Sequence, residues 1–235
     1  SSRHAALNDV NLTVRAGEIL GIAGVGGNGQ TELAEAIFGL MRPTAGSISV
    51  DGVTLDDAPV RARRGCGLRL IPADRFEYAL LAELRAYENL ALPGVPGGSF
   101  GTLAYLDRGA MRSHAGAIFD ARQIVGGKPG TRTRLLSGGN AQKLLLAREL
   151  NEAVGVLVAH SPTRGLDVRA CQAVHGALVR QVQEGAACLL ISEDLDEVLQ
   201  LSTQVAVMSR GRLEGPFERK QVERAHIGEM MAGHA

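Results

Sequence analysis

The residues with the clearest capacity for chemistry lie early in the chain. An apolar run, Ile19–Ala23, leads into Gly24-Val25-Gly26-Gly27-Asn28-Gly29-Gln30-Thr31-Glu32, and a helical pattern follows. This is the spacing of a phosphate-binding loop, with Gln30 where a lysine is expected. Glycines let the backbone curl until successive N–H groups converge on phosphate oxygens, and the positive end of the following helix adds attraction. Gly24, Gly26, Gly27, Asn28, Gly29, Gln30, Thr31 and Glu32 are therefore the candidate phosphate-handling set. The Thr31 hydroxyl is the one candidate ligand for Mg²⁺, a weak one. A glutamine at position 30 donates hydrogen bonds but brings no charge to a triphosphate. The same spacing also fits a glycine-rich strand-to-helix turn that binds nothing.

A second cluster narrows the choice. Leu136-Ser137-Gly138-Gly139-Asn140-Ala141-Gln142-Lys143 precedes another helical run. It resembles the signature motif of ABC ATPases, in the form found in sugar and nucleoside importers. The resemblance extends over most of the chain. It takes in Gly17-Glu18-Ile19, Pro72-Ala73-Asp74-Arg75, Glu88-Asn89-Leu90, Ala147-Arg148-Glu149-Leu150 and Pro162-Thr163-Arg164-Gly165-Leu166-Asp167-Val168, in the family's order. Read without the resemblance, Ser137 is simply a helix cap. With it, Ser137, Gly138, Gly139, Asn140 and Gln142 are expected to face ATP bound on the loop of an opposite domain, in a head-to-tail pair. Asp167 fits the segment that touches that partner domain, and it equally suits the N-cap of the next helix. Arg164 suits either that segment or a solvated surface.

Several positions depart from the family. Aligned on Pro162-Thr163, the residues expected to be Asp and Glu are His160 and Ser161. The Asp would hold the Mg²⁺ shell and the Glu would polarise the attacking water. Mg²⁺ prefers oxygen ligands, so His160 suits it badly; a satisfied histidine at a strand end is the preferred reading. A serine hydroxyl is too weak a base for the second task. The switch histidine is replaced by Glu193 and the loop glutamine by Ala73. The aromatic residue that normally stacks on the base would fall at or before Ser1.

Loss of a positioned base costs about 10²–10⁴ in rate. The changes at Gln30, His160, Ser161 and Glu193 thus argue against efficient hydrolysis at the chain's own loop. The resemblance implies the carboxy-terminal half of a tandem ATP-binding subunit, nearer the nucleoside than the ribose branch. The implied ligands are ATP and, weakly or not at all at the chain's own site, Mg²⁺. The implied partners are a second ATP-binding domain in the amino-terminal half, membrane permease subunits and, indirectly, a solute-binding protein. The place is the cytoplasmic face of a bacterial inner membrane. A fully active ATPase, with Glu193 or another acid as base, is the second reading. A non-transport member acting in translation or DNA repair is the third, and the basic arms and insertions it needs are missing.

These residues must be held by an α/β framework. Ile19–Ala23, Leu68–Ile71, Val154–Ala159 and Cys188–Ser192 read as buried strands. Thr31–Leu40, Ala141–Leu150 and Arg169–Gln183 read as helices. Alternation of the two predicts a mostly parallel sheet of the P-loop NTPase, ABC-ATPase type. Ser47–Val50 with Val53–Leu55, and Val205–Ser209 with Arg212 onward, read as hairpins, an antiparallel portion beside the parallel core. One nucleotide-binding domain over 1–235 is expected, with 1–74 and 151–235 as core and 75–150 as an inserted helical subdomain. Glu83–Asn89 in that insert resembles the part that grips a permease. A short helix is expected near Met231.

Composition agrees. Lys plus Arg and Asp plus Glu number 25 each, which removes the basic footprint of a nucleic-acid binder. Hydrophobic residues make up 45% and aromatics only 3%, so the core must be aliphatic. Cys66, Cys171 and Cys188 lack metal or disulfide spacing and read as free thiols in a reducing compartment. No apolar run reaches the ~18–20 residues of a membrane helix. The chain is expected to be soluble, without a signal peptide, and a piece of a longer polypeptide, since it begins Ser-Ser-Arg-His.

Overall fold

Strands buried on both faces lose the polar/apolar alternation of half-exposed ones, and the central apolar runs of this chain behave that way. In the computed structural model, which describes residues 7–102 and 105–232, every residue of Ile19–Ala23, Leu68–Ile71 and Ala187–Ser192 is buried. In chain order the elements are β1 (Ile19–Ala23), α1 (Gln30–Phe38), β2 (Ser49–Val50), β3 (Val53–Thr54), α2 (Val60–Gly65), β4 (Leu68–Ile71), α3 (Arg75–Tyr78), α4 (Ala86–Ala91), β5 (Gly101–Thr102), β6 (Tyr105–Leu106) and α5 (Arg108–Ala121). There follow α6 (Gly138–Glu149), β7 (Val156–His160), α7 (Val168–Gln183), β8 (Ala187–Ser192), α8 (Leu195–Leu201), β9 (Gln204–Ser209), β10 (Arg212–Glu218) and α9 (Arg224–Met231).

The chain forms two compact units, residues 1–73, 153–162 and 178–235, and residues 74–152 and 163–177. The first holds a six-stranded sheet in the order β10-β9-β1-β8-β7-β4. All neighbours are parallel except β10, which returns antiparallel along β9 at one edge. The two expected hairpins behave differently. The one through Arg210-Gly211 joins the main sheet. The one through Asp51-Gly52 forms a two-stranded sheet of its own, paired over two residues on each strand. Leu20, Ile22, Leu68, Val158, Leu189 and Ile191 build the core under α1, and Val198, Val205, Ile227 and Met230 build that under α8 and α9. Each such aliphatic burial contributes about 1.5–3 kcal/mol.

Helix limits follow from local chemistry. Helix α1 ends at Phe38, two residues before the sequence pattern suggests. Gly39 turns left-handed at φ 84°, and its N–H and that of Leu40 return to Ala36 and Glu35 carbonyls. Arg63 of α2 completes that end. Its guanidinium is buried and donates to the Ala36, Ile37, Leu55, Asp56 and Ala58 carbonyls. Burial lowers its pKa, and Asp56 opposes this in part.

The second unit is mainly helical, with the β5–β6 hairpin between α4 and α5. Helices α4, α5 and α6 bury Tyr87, Leu90, Met111, Phe119, Leu144 and Leu145. Helix α6 starts at Gly138, three residues earlier than the apolar pattern indicates, because Ser137 caps it. Helix α7 starts at Val168 behind Asp167, whose carboxylate accepts the Ala170 N–H at 2.9 Å. No helix among the described residues is long and apolar enough to cross a membrane.

Candidate functional site

The parallel register places the chemistry of the first unit at one end of the sheet. Ala23, the last residue of β1, pairs with Ser192, the last of β8, and His160 at the end of β7 pairs with Ile191. Gly24–Gly29, Glu193 and Ser161 therefore leave three adjacent strands at the same end, as ligand-binding residues do in parallel α/β sheets.

The glycine loop is bonded to itself. Gln30 is only 3% exposed. Its amide oxygen accepts the Asn28 N–H at 3.0 Å, and its amide nitrogen donates to the Val25 carbonyl at 2.8 Å. The Asn28 side chain donates to the same carbonyl at 2.9 Å. The turn between β9 and β10 secures the far side, with Arg210 N–H donating to Asn28 Oδ1 and Gly211 N–H to Asn28 O, both at 2.9 Å. Gly24 must be glycine, since a Cβ there would lie 2.6 Å from the Met208 carbonyl and 2.7 Å from Gln30 Nε2. Gly27 and Gly29 hold φ 87° and 110°, which few other residues adopt. Thr31 is exposed and Glu32 half-buried in the first turn of α1.

Beside the loop, His160 is buried and engaged by its surroundings. Ser161 holds φ 42°, a strained conformation for a non-glycine residue, while its N–H donates to Ile191 O at 2.7 Å. Glu193 is exposed, yet a Cβ built on Gly26 would lie 2.7 Å from its Oε1. Its carboxylate therefore faces the loop backbone. Among the described residues no group of three or more His, Cys, Asp or Glu is placed to hold a metal ion.

The second unit gathers the other candidates. Ser137 Oγ accepts the Asn140 side-chain amide at 2.8 Å and faces the Asn140 N–H at 3.4 Å. Asn140 Oδ1 accepts the Val125 N–H at 3.1 Å. Gly139 packs against Ala170, 3.2 Å from where its Cβ would stand. Gln142 is buried, and its amide oxygen accepts Arg75 Nε at 3.1 Å. Arg75 also donates to the Arg164 carbonyl at 2.8 Å. This guanidinium joins the start of α6 to the stretch leading to Asp167. The sequence placed Arg75 only within a resemblance; no spacing pattern reports a contact across 67 or 89 residues. Asp74 caps α3, and the Glu77 and Phe76 N–H groups hold its carboxyl below its ordinary value. The position expected for a base-stacking aromatic lies outside the described residues, as does Ser1.

Comparison with known proteins follows the same lines. The family model for the ABC transporter matches residues 7–164. The chain is 41% identical over 230 residues to the glucose import ATP-binding protein TsgD13 of Haloferax volcanii, covering 97% of this chain and 42% of that protein. It is 36% identical over 227 residues to the guanosine import ATP-binding protein NupO of Bacillus subtilis, covering 97% of this chain and 44% of that protein. The chain thus spans less than half the length of these relatives. The structure superposes on a nucleotide-free ATP-binding cassette from an ABC transporter with a TM-score of 0.76 at 19% identity, covering 93% of this chain and 87% of that one. That likeness is one of fold.

Proposed function

The chain belongs to the ABC transporter family, and from that premise we propose that it serves a sugar or nucleoside importer as the half whose signature motif completes a partner's ATP site. Its own loop, on this reading, hosts hydrolysis poorly or not at all. The names of the relatives support the solute class. The length of those relatives, over twice that of the matched stretch, supports a second ATP-binding domain in the same polypeptide.

The observation that carries the reading is the contrast between the two glycine motifs. At the loop, Gln30 spends its amide on Asn28 N–H and Val25 O. That N–H is one of those a phosphate would need, and Gln30 brings no charge where the lysine is expected. The strand end carries His160 and Ser161 in place of an Mg²⁺ anchor and a base. This donor set does not fit ATP·Mg²⁺. At the signature, Ser137 stands exposed at the N-terminus of a helix with its cap geometry complete. A hydroxyl and a helix N-terminus suit a γ-phosphate presented by a partner. Within the assembly the chain would form one nucleotide-binding domain with the two units above. It would sit on the cytoplasmic side of permease subunits that receive solute from a binding protein, and it would make no use of nucleic acid.

The contact of Glu193 with Gly26 favours one rival, in which Glu193 is the base of an active site. Substitution separates the two. Ser137→Ala together with Gly138→Asp, made in the full-length protein, is expected to lower ATP turnover about 10²-fold, as loss of transition-state donors does. Unchanged turnover would end the proposal.

A further inference from the structure

Glu193 follows directly on β8, and the register of Ser192 with Ala23 brings it beside the glycine loop. The carboxylate approaches the loop with one oxygen foremost. A Cβ at Gly26 would lie 2.7 Å from Oε1, 3.3 Å from Cδ and 3.7 Å from Oε2. The carboxylate therefore lies over the backbone of Gly26, at the centre of the loop. It is exposed, and among the described residues no arginine or lysine is paired with it. Gln30 brings no charge to offset it.

We propose that Glu193 is the residue that excludes nucleotide phosphates from this chain's own loop, an inference that rests on the reading of that loop as impaired. Two features oppose a phosphate there, and they differ in kind. The Gln30 amide is a neutral plug. Displacing its two hydrogen bonds costs a ligand roughly fivefold to a hundredfold, a cost that salt leaves unchanged, because each exchanges for bonds with water or phosphate. The charge of a carboxylate cannot be exchanged in this way. It repels each added phosphate charge at short range, and only dissolved ions weaken that repulsion. The loop's glycines, its left-handed turns and the α1 N-terminus remain built for an anion. The electrostatic sign at its centre is what has been reversed.

The experiment is a calorimetric titration of ATP with excess Mg²⁺ into the chain as wild type, E193Q and E193A. Each variant's melting temperature is compared with that of the wild type. The expected result is binding about tenfold to a hundredfold tighter in both variants at low ionic strength. The gap to wild type narrows as salt rises, which a purely structural role would not produce. Variants that melt like the wild type and bind no tighter, or less tightly, overturn the inference and leave the impaired-loop reading standing. Tight, magnesium-dependent binding by the wild type removes that reading, and the inference with it.

Discussion

Asn140 holds Ser137 by its acceptor side. The asparagine amide donates to Ser137 Oγ at 2.8 Å while its own oxygen is fixed by the Val125 N–H at 3.1 Å. A hydroxyl has two acceptor lone pairs and one proton. With the Asn140 side-chain amide at 2.8 Å and the Asn140 backbone N–H at 3.4 Å both directed at its oxygen, the remaining hydrogen-bonding capacity of Ser137 is the proton it donates. Asn140→Ala in the full-length protein is expected to lower ATP turnover about tenfold through a loosened Ser137. Asn140→Asp is expected to lower it further, because a carboxylate takes the serine proton for itself. Steady-state turnover of the two variants checks the order. Equal values would place Asn140 outside this role.

The glycine at position 21 is set by a neighbour. A Cβ there would collide with Ser202 Oγ and come 2.7 Å from Val198 Cγ1. Gly21→Ala is expected to cost about 2–3 kcal/mol by overpacking. The Ser202 hydroxyl is itself buried without a hydrogen-bond partner. Ser202→Ala is therefore expected to hold or raise stability by up to about 1 kcal/mol. Denaturant unfolding of both single variants and the double tests whether the effects couple, as those of touching residues do.

Arg63 carries a structural load that its position in a short basic helix conceals. It satisfies carbonyls at the end of α1 and in the segment after β3, and Asp56 acts on its charge against the effect of burial. Arg63→Met keeps much of the bulk and strands those carbonyls. The expected loss is about 3 kcal/mol, read from a denaturation midpoint.

The thiols are expected to separate by access. Cys66 is exposed, Cys171 half-buried and Cys188 fully buried, where burial pushes its thiol up to about 12. Thiolate is the reactive form. An aromatic disulfide reagent at neutral pH should label Cys66 first and leave Cys188 untouched until the chain unfolds. Rapid labelling of Cys188 in the native chain would contradict the core described here.

The parts of this fold that were legible in the sequence are those where one local cause dominates. β1 and β4 fall on Ile19–Ala23 and Leu68–Ile71 as their apolar runs predict. The glycine loop before α1 and the Ser137 cap of α6 were legible because their residues are contiguous. Limits set by capping were displaced. Apolar periodicity alone does not register that Ser137 starts α6 early or that Gly39 ends α1 early. Relations across the chain were not legible at all. The Glu193–Gly26 contact depends on strand register, and the Arg75 bridge on two segments 67 and 89 residues away. The Gln30 plug needed side-chain geometry, although its missing charge was plain from the sequence.

Steady-state ATP turnover by the chain alone, at saturating ATP and Mg²⁺, tests the central claim most directly. With Gln30, His160 and Ser161 where a cation, a metal anchor and a base are required, turnover is predicted to stay at the background of a buffer control. Sustained turnover that disappears in Glu193→Gln or Thr31→Ala would contradict it, since hydrolysis would then be running on the loop held here to be closed.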